Sequence, residues 1–264
     1  MRPISLASGV VPEFGPLDTV QAAAAGGFDM VGLWVEPGEW TAATIREVRT
    51  ELAASGLPLL DVEVIWLKPD SVMDDHRRVI DIGAELGAAN VLCVSSDPDH
   101  GRTAARLAEL CRLAEGSAMR VALEFGVFTE VKNLAQAMAV LDAVAHPLRA
   151  LLVDPIHVDR SGSTIEAIAR VDPALLPYAQ FCDASALRPD PADFAAVIED
   201  AIDLREQCGA GALPLHALYD ALPPAIPLSI ELRSKALREA FGHPALRAKA
   251  VADATRAWLA THQA

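Results

Sequence analysis

Eight short apolar runs, each followed by a longer Ala-rich run of helical period, predict an α/β fold. The expected architecture is a (β/α)8 TIM barrel, a single domain over residues 1–264. Three observations carry that prediction. The short runs are almost continuously apolar, as parallel strands covered by helices must be. The units average about 33 residues, the repeat that such a barrel needs. The turn after the first run reads ASGVVPEFG, without the GxGxxG of a doubly wound dinucleotide-binding sheet, the main rival. No composition shift or long linker divides the chain.

Taken in order, residues 4–7 form the first expected strand. A helix over 17–25 is stopped by Gly26 and Gly27. The second strand covers 30–35. The next helix starts at Thr41, lines up Ile45, Val48 and Leu52, and ends at Gly56. Strand three, 57–67, carries Glu63 and Trp66. Val79, Ile82, Gly83 and Leu86 mark the third helix. Strand four, 90–94, runs into a polar SSDPDHG turn, and Leu107, Leu110, Cys111 and Ala114 define helix four. Strand five is 121–125 and carries Glu124. A helix over 134–144 stops near Pro147. Strand six, 150–153, ends at Asp154, with His157 and Arg160 just beyond. Helix six is expected over 164–171 with Ser163 as its cap. Strand seven is 175–182, and 194–208 reads as one helix. GAGALPLHALYDAL then supplies a loop and a short helical piece. Strand eight covers 226–232, and the last helix 244–259.

Composition narrows the function. Hydrophobic residues make up 52% of the chain and charged ones 22%, enough for a large buried core. No apolar run reaches the roughly 18 residues of a membrane span. The N-terminus reads as a strand rather than a signal peptide. A cytoplasmic protein is expected. The net charge of −14 argues against nucleic acid and anionic membranes, which ask for a basic stripe. Cys93, Cys111, Cys182 and Cys208 form no CxxC pair and sit in apolar segments, so they read as buried thiols.

The chemistry lies at the ends of the later strands. Glu124, Asp154, Gln180 and Glu231 fall on strands five to eight, and in a barrel those ends face one mouth. Glu124 and Glu231 sit inside the apolar runs VALEFG and LSIELRS, where a Glu without a task is costly. Carboxylates converging in an apolar mouth either raise one another's pKa or share a cation. An all-oxygen set of Glu124, Asp154, Gln180 and Glu231 favours Mn²⁺ or Mg²⁺, with Co²⁺ or Zn²⁺ also admissible. Each has a structural alternative: Asp154 could cap the next helix, and Gln180 could be a satisfied core amide. Asp183 divides evenly between a loop Asx-turn and a functional role. His157 is expected to touch substrate, together with Glu63. Arg160, Arg188 and Arg233, just past strands six to eight, would suit a carboxylate or phosphate; Arg160 and Arg188 are the substrate-binding candidates.

Six segments in order, DVEVIWLKPD, VALEF, VDPIHVDRSG, YAQFCDA, GAGALPL and LSIELRS, resemble the xylose isomerase-like TIM-barrel family, the sugar phosphate isomerases and epimerases. The resemblance implies metal ligation by Glu124, Asp154 and Glu231 and substrate contact by His157 of the D-x-x-H motif. Gln180 stands where most of the family's epimerases have a metal-binding His. That departure is similar to hydroxypyruvate isomerase-like members. The family's GxGE-type loop appears as Gly209-Ala210-Gly211-Ala212 and lacks its acid. The multi-zinc endonuclease branch does not fit, for want of histidines at the strand ends.

The expected reaction is proton abstraction next to a carbonyl through a metal-stabilised enediolate, with Glu124 and Glu231 as acid and base. Returning the proton across the enediolate, or to its other face, gives an isomerase or an epimerase of a small sugar or hydroxy-keto acid. Loss of a β-hydroxyl would give a dehydratase instead. A non-catalytic sugar-binding or accessory barrel is the alternative from another class. The sequence leaves a homo-oligomer open.

Overall fold

The strands pair side by side in one eight-stranded parallel sheet in a computed structural model that describes residues 2–262. The first half runs β1 (Ile4–Leu6), α1 (Pro16–Gly26), β2 (Met30–Trp34), α2 (Ala42–Ser55), β3 (Leu59–Leu67), α3 (Met73–Leu86), β4 (Asn90–Ser95) and α4 (His100–Leu113). It continues with β5 (Arg120–Glu124), α5 (Leu134–Asp142), β6 (Arg149–Leu152), α6 (Pro155–Arg160), α7 (Ile165–Ile168) and β7 (Ala179–Phe181). The chain ends in α8 (Phe194–Ile202), α9 (Leu215–Ala221), β8 (Leu228–Ile230), α10 (Lys235–Ala240) and α11 (Pro244–His262).

The order β6-β5-β4-β3-β2-β1-β8-β7 leaves β6 and β7 at the two ends of the sheet. They meet through a hydrogen bond donated by Gln180 N–H to the Val153 carbonyl, 3.0 Å. The sheet is therefore a nearly closed barrel, the expected (β/α)8 fold. No helix of the described residues is long and apolar enough to cross a membrane.

Two apolar layers follow from the period-2 alternation of strand side chains. The larger lies between sheet and helices and includes Val31, Val62, Val91, Val121, Leu151 and Phe181. The smaller comprises Leu60, Leu92, Val94, Ala122, Ala150, Leu152 and Tyr178. On β5 and β6 its members alternate with those of the larger layer, which places it in the lumen. The four cysteines are buried and free.

Local signals set several boundaries. Gly27 and Gly56 end α1 and α2 with φ of 77° and 70°, a conformation that disfavours a side chain. Thr41 and Thr44 cap the start of α2 reciprocally. Elsewhere the expectations need correcting. Thr164, not Ser163, caps α7; Ser163 Oγ instead accepts the Leu134 N–H at the start of α5. The helix expected over 194–208 stops at Ile202. Beyond it Leu204 bridges to Ser234, and Glu206 pairs with Asp183 through two backbone hydrogen bonds of 2.8 Å. That tertiary pairing competes with continued helix and turns Arg205 into the barrel mouth. The short helices α6 and α10 were not expected.

Candidate active site

The site follows from strand parity. Ala122 and Leu152 face the lumen, so Glu124 and Asp154, two residues on, face it at the carboxyl ends of β5 and β6. Tyr178 likewise precedes Gln180 by two. Glu63, Glu124, His157, Gln180 and Glu231 line one cavity of roughly 280 Å³, shared with Trp34, Trp66, Phe128, Arg205 and Arg233. All five of the first group are buried.

One ligand atom each from Glu124, Asp154 and His157 lies within 4.8 Å of the other two. His157 Nε2 is 3.8 Å from Glu124 Oε1. Asp154 also caps α6, its Oδ1 accepting the Ile156 N–H at 2.9 Å. Its Oδ2 accepts from Arg205 Nη1 at 2.6 Å. Arg205 further donates to the carbonyls of Ala201 and Glu231, at 2.6 and 3.0 Å. Glu231 Oε1 accepts from Arg233 Nε at 2.6 Å, while its Oε2 is buried without a partner among the described residues. Ser8 donates to Glu63 Oε1 at 2.5 Å.

The electrostatics follow from four acids and two arginines in a buried mouth. Burial, and then the Asp154 charge, pushes Glu124 well above the carboxylate range. Burial would raise Asp154 too, but Arg205 and then His157 outweigh it and hold it low. Burial and the nearby Glu231 raise Glu63 to about 7. Burial lowers His157 to about 4, so it is neutral at physiological pH. Burial would lower Arg205, yet Asp154 raises it and keeps it charged.

The donor set suits a divalent cation. The Gln180 amide reaches both acids: with its NH2 turned toward them it donates to Glu124 Oε1 at 2.8 Å and Asp154 Oδ2 at 3.2 Å, and with its oxygen there it adds a neutral ligand atom beside theirs. Carboxylate oxygens of Glu124 and Asp154 and a ring nitrogen of His157, all within 4.8 Å of one another, match the spacing of ligands around one ion. Glu124, Asp154 and Gln180 could hold it, with His157 beside them and the unpartnered Glu231 Oε2 in the same mouth. An imidazole among the oxygens admits zinc beside manganese and magnesium.

The remaining sequence candidates fall elsewhere. Arg160 pairs with Asp159 and Asp200, and the exposed Arg188 with Asp159; neither lines the cavity. Asp183 takes a structural part: its carboxylate accepts the N–H groups of Ala184, Gly209 and Leu213. The acid-free Gly209–Ala212 loop is thus held from outside, and a side chain at Gly211 would strike Asp183 and the Ala184 carbonyl. Sequence reasoning missed Arg205, because a continuous helical pattern hid it. The one available signal was an Arg four residues before the Gly-rich GAG loop.

A family model described as xylose isomerase-like TIM barrel matches residues 20–261. A comparison by sequence with curated proteins finds no match. Solved structures are similar in fold. A xylose isomerase-like TIM barrel/4-hydroxyphenylpyruvate dioxygenase fusion protein aligns with TM-score 0.81 and 21% identity, over 99% of this chain. The chain spans only 44% of that fusion's length. IolI protein with a bound zinc atom gives TM-score 0.79 at 16% identity, over 98% of this chain and 97% of that one. D-allulose 3-epimerase from Methylomonas sp., in complex with D-allulose, gives 0.72 at 13% identity, over 99% and 97%.

Proposed function

Since this chain belongs to the xylose isomerase-like TIM barrel family, we propose that it is a divalent-metal-dependent isomerase or epimerase of a small sugar or hydroxy-keto acid. The observation that carries this reading is Glu231 Oε2, a buried and unpartnered carboxylate oxygen on a residue lining the same cavity as Glu124 and Gln180. Glu231 removes the proton next to the substrate carbonyl, while Arg233 on Oε1 keeps the carboxylate in place. Glu124, lining the same cavity, returns a proton on the neighbouring carbon or the opposite face. His157, neutral and beside Glu124, orients the substrate oxygens. A divalent ion held by Glu124, Asp154 and Gln180 would supply positive charge to the oxygen of the reacting carbonyl.

The test is solvent exchange. Purified protein with added Mn²⁺ is incubated in D₂O with candidate ketoses and hydroxy-keto acids, and followed by NMR. Deuterium at the carbon next to the carbonyl, without loss of water and absent in Glu231→Gln, is the expected result. No exchange with any candidate, and no metal bound to the purified protein, would favour a binding barrel. A conjugated product absorbing in the ultraviolet would make the protein a lyase.

A further inference from the structure

The cavity has two unlike faces. One carries the acids, His157, Gln180, Arg205 and Arg233. The other is built of Trp66, Leu92, Val94, Phe128, Ile198 and Ile202. Even the polar handle of that second face is occupied, since Trp66 donates its indole N–H to Ser96 Oγ at 2.9 Å. The ring of Phe128 lies against His157, centroids 5.1 Å apart, so the apolar face begins where the polar one stops.

Helix α8, which follows β7, adds Ile198 and Ile202 to that apolar lining. Phe194, Ile198 and Ile202 recur at four-residue spacing on one side of it. Ile198 and Ile202 line the cavity, yet Ile202 is 43% exposed, Phe194 61% and the nearby Leu187 81%. A polyol bound here would turn hydroxyls toward carbon. Each hydroxyl stripped of water without a new partner costs about 1–3 kcal/mol.

The polar face has donors to spare. Arg205 uses Nε and Nη1 within the protein, and its Nη2 has no acceptor among the described residues. Arg233 uses Nε on Glu231, and both its Nη groups are without one among those residues. Planar N–H forks match a carboxylate.

We propose that the substrate of this site is a carboxylic acid with an apolar body, an aryl or branched-alkyl hydroxy- or keto-acid, rather than a polyhydroxylated sugar. Its carboxylate meets Arg205 and Arg233, and its body lies between Phe128, Trp66 and the inner side of α8. The chemistry after binding rests on the proton-transfer function proposed for this site, but binding itself is tested alone.

The experiment measures affinity by calorimetry and tryptophan fluorescence on the full chain with Mn²⁺ present. The probes are phenyllactate, erythronate and fructose. Phenyllactate is expected to bind at least about tenfold tighter than erythronate, and fructose weakest. Ile198→Ser should weaken phenyllactate about three- to tenfold and leave erythronate unchanged. Arg233→Gln should weaken both acids about tenfold. A melting curve confirms that each variant folds. Erythronate or fructose binding as tightly as phenyllactate, equal loss of both acids in Ile198→Ser, or no binding of either acid at millimolar concentration would overturn the inference. Phenyllactate binding with no deuterium exchange on any candidate would sink the proton-transfer reading and leave this one standing. Exchange on fructose without phenyllactate binding would do the reverse.

Discussion

The two halves of the barrel mouth are made by the same backbone geometry and do opposite things with it. On the side of β5 to β8, the lumen-facing positions at the strand ends carry Glu124, Asp154, Gln180 and Glu231. On the side of β3 and β4 they carry Val64, Trp66 and Val94, with Glu63 as the exception. The apolar half asks for little: the Trp66 N–H finds Ser96, and Glu63 takes the Ser8 hydroxyl. The acidic half cannot stand alone. It recruits Arg205 from the segment after α8 and Arg233 from the segment after β8 to neutralise what the strands bury. Polar strand ends thus draw cations to themselves, one from two residues on and one from 51 residues away.

The largest effect that sharpens this contrast is on stability. Arg205→Ala leaves Asp154 charged and buried without its partner. It should destabilise the metal-free protein by about 3–5 kcal/mol in chemical denaturation, against about 1 kcal/mol for Val94→Ile in the apolar half. Equal losses would erase the distinction between the halves. Next, Glu231→Gln should lower turnover by about a hundred- to ten-thousandfold with little change in melting temperature. An active Glu231→Gln would remove the base from the scheme.

Metal should register on one half only. At a hundredfold excess over its dissociation constant, a single bound ion adds about 2.7 kcal/mol to stability. EDTA should therefore lower the melting temperature of the metal-loaded protein. Glu124→Gln should abolish that shift, and Trp66→Phe should keep it. A shift that survives Glu124→Gln would place the ion elsewhere.

The smallest effect is in the pH profile. His157 titrates near 4 in the folded, metal-free chain against 6.5 ordinarily, because burial disfavours its charge. As pH falls from 6.5 toward 4 the unfolded chain takes up this proton and the folded one resists it. The contribution of His157 to stability is therefore complete above 6.5 and lost as pH falls to about 4. Glu63, raised to about 7, acts oppositely: the folded state holds the extra proton, so stability declines as pH rises from 4.5 to 7. His157→Gln should remove a slope of about 1.4 kcal/mol per pH unit between 4 and 6.5. An NMR titration of the His157 ring with its midpoint at 6.5 would show that the mouth is wet.

The amino-acid sequence by itself determined the barrel and the acids at its rim. Apolar runs with turn glycines fix strands and helices locally, and period-2 alternation then decides which end residues face inward, so Glu124, Asp154 and Glu231 stand out against the runs that carry them. Tertiary structure alone decided who meets whom. Arg160 and Arg188 read as the arginines of the mouth, yet they are drawn off by Asp159 and Asp200, while Arg205, hidden in a helical pattern, reaches Asp154 from 51 residues away. The reason is physical: helical pattern is a short-range preference. The pairing of Glu206 with Asp183 and the charge of a buried Asp154 act only once the chain has folded, and there they outweigh it.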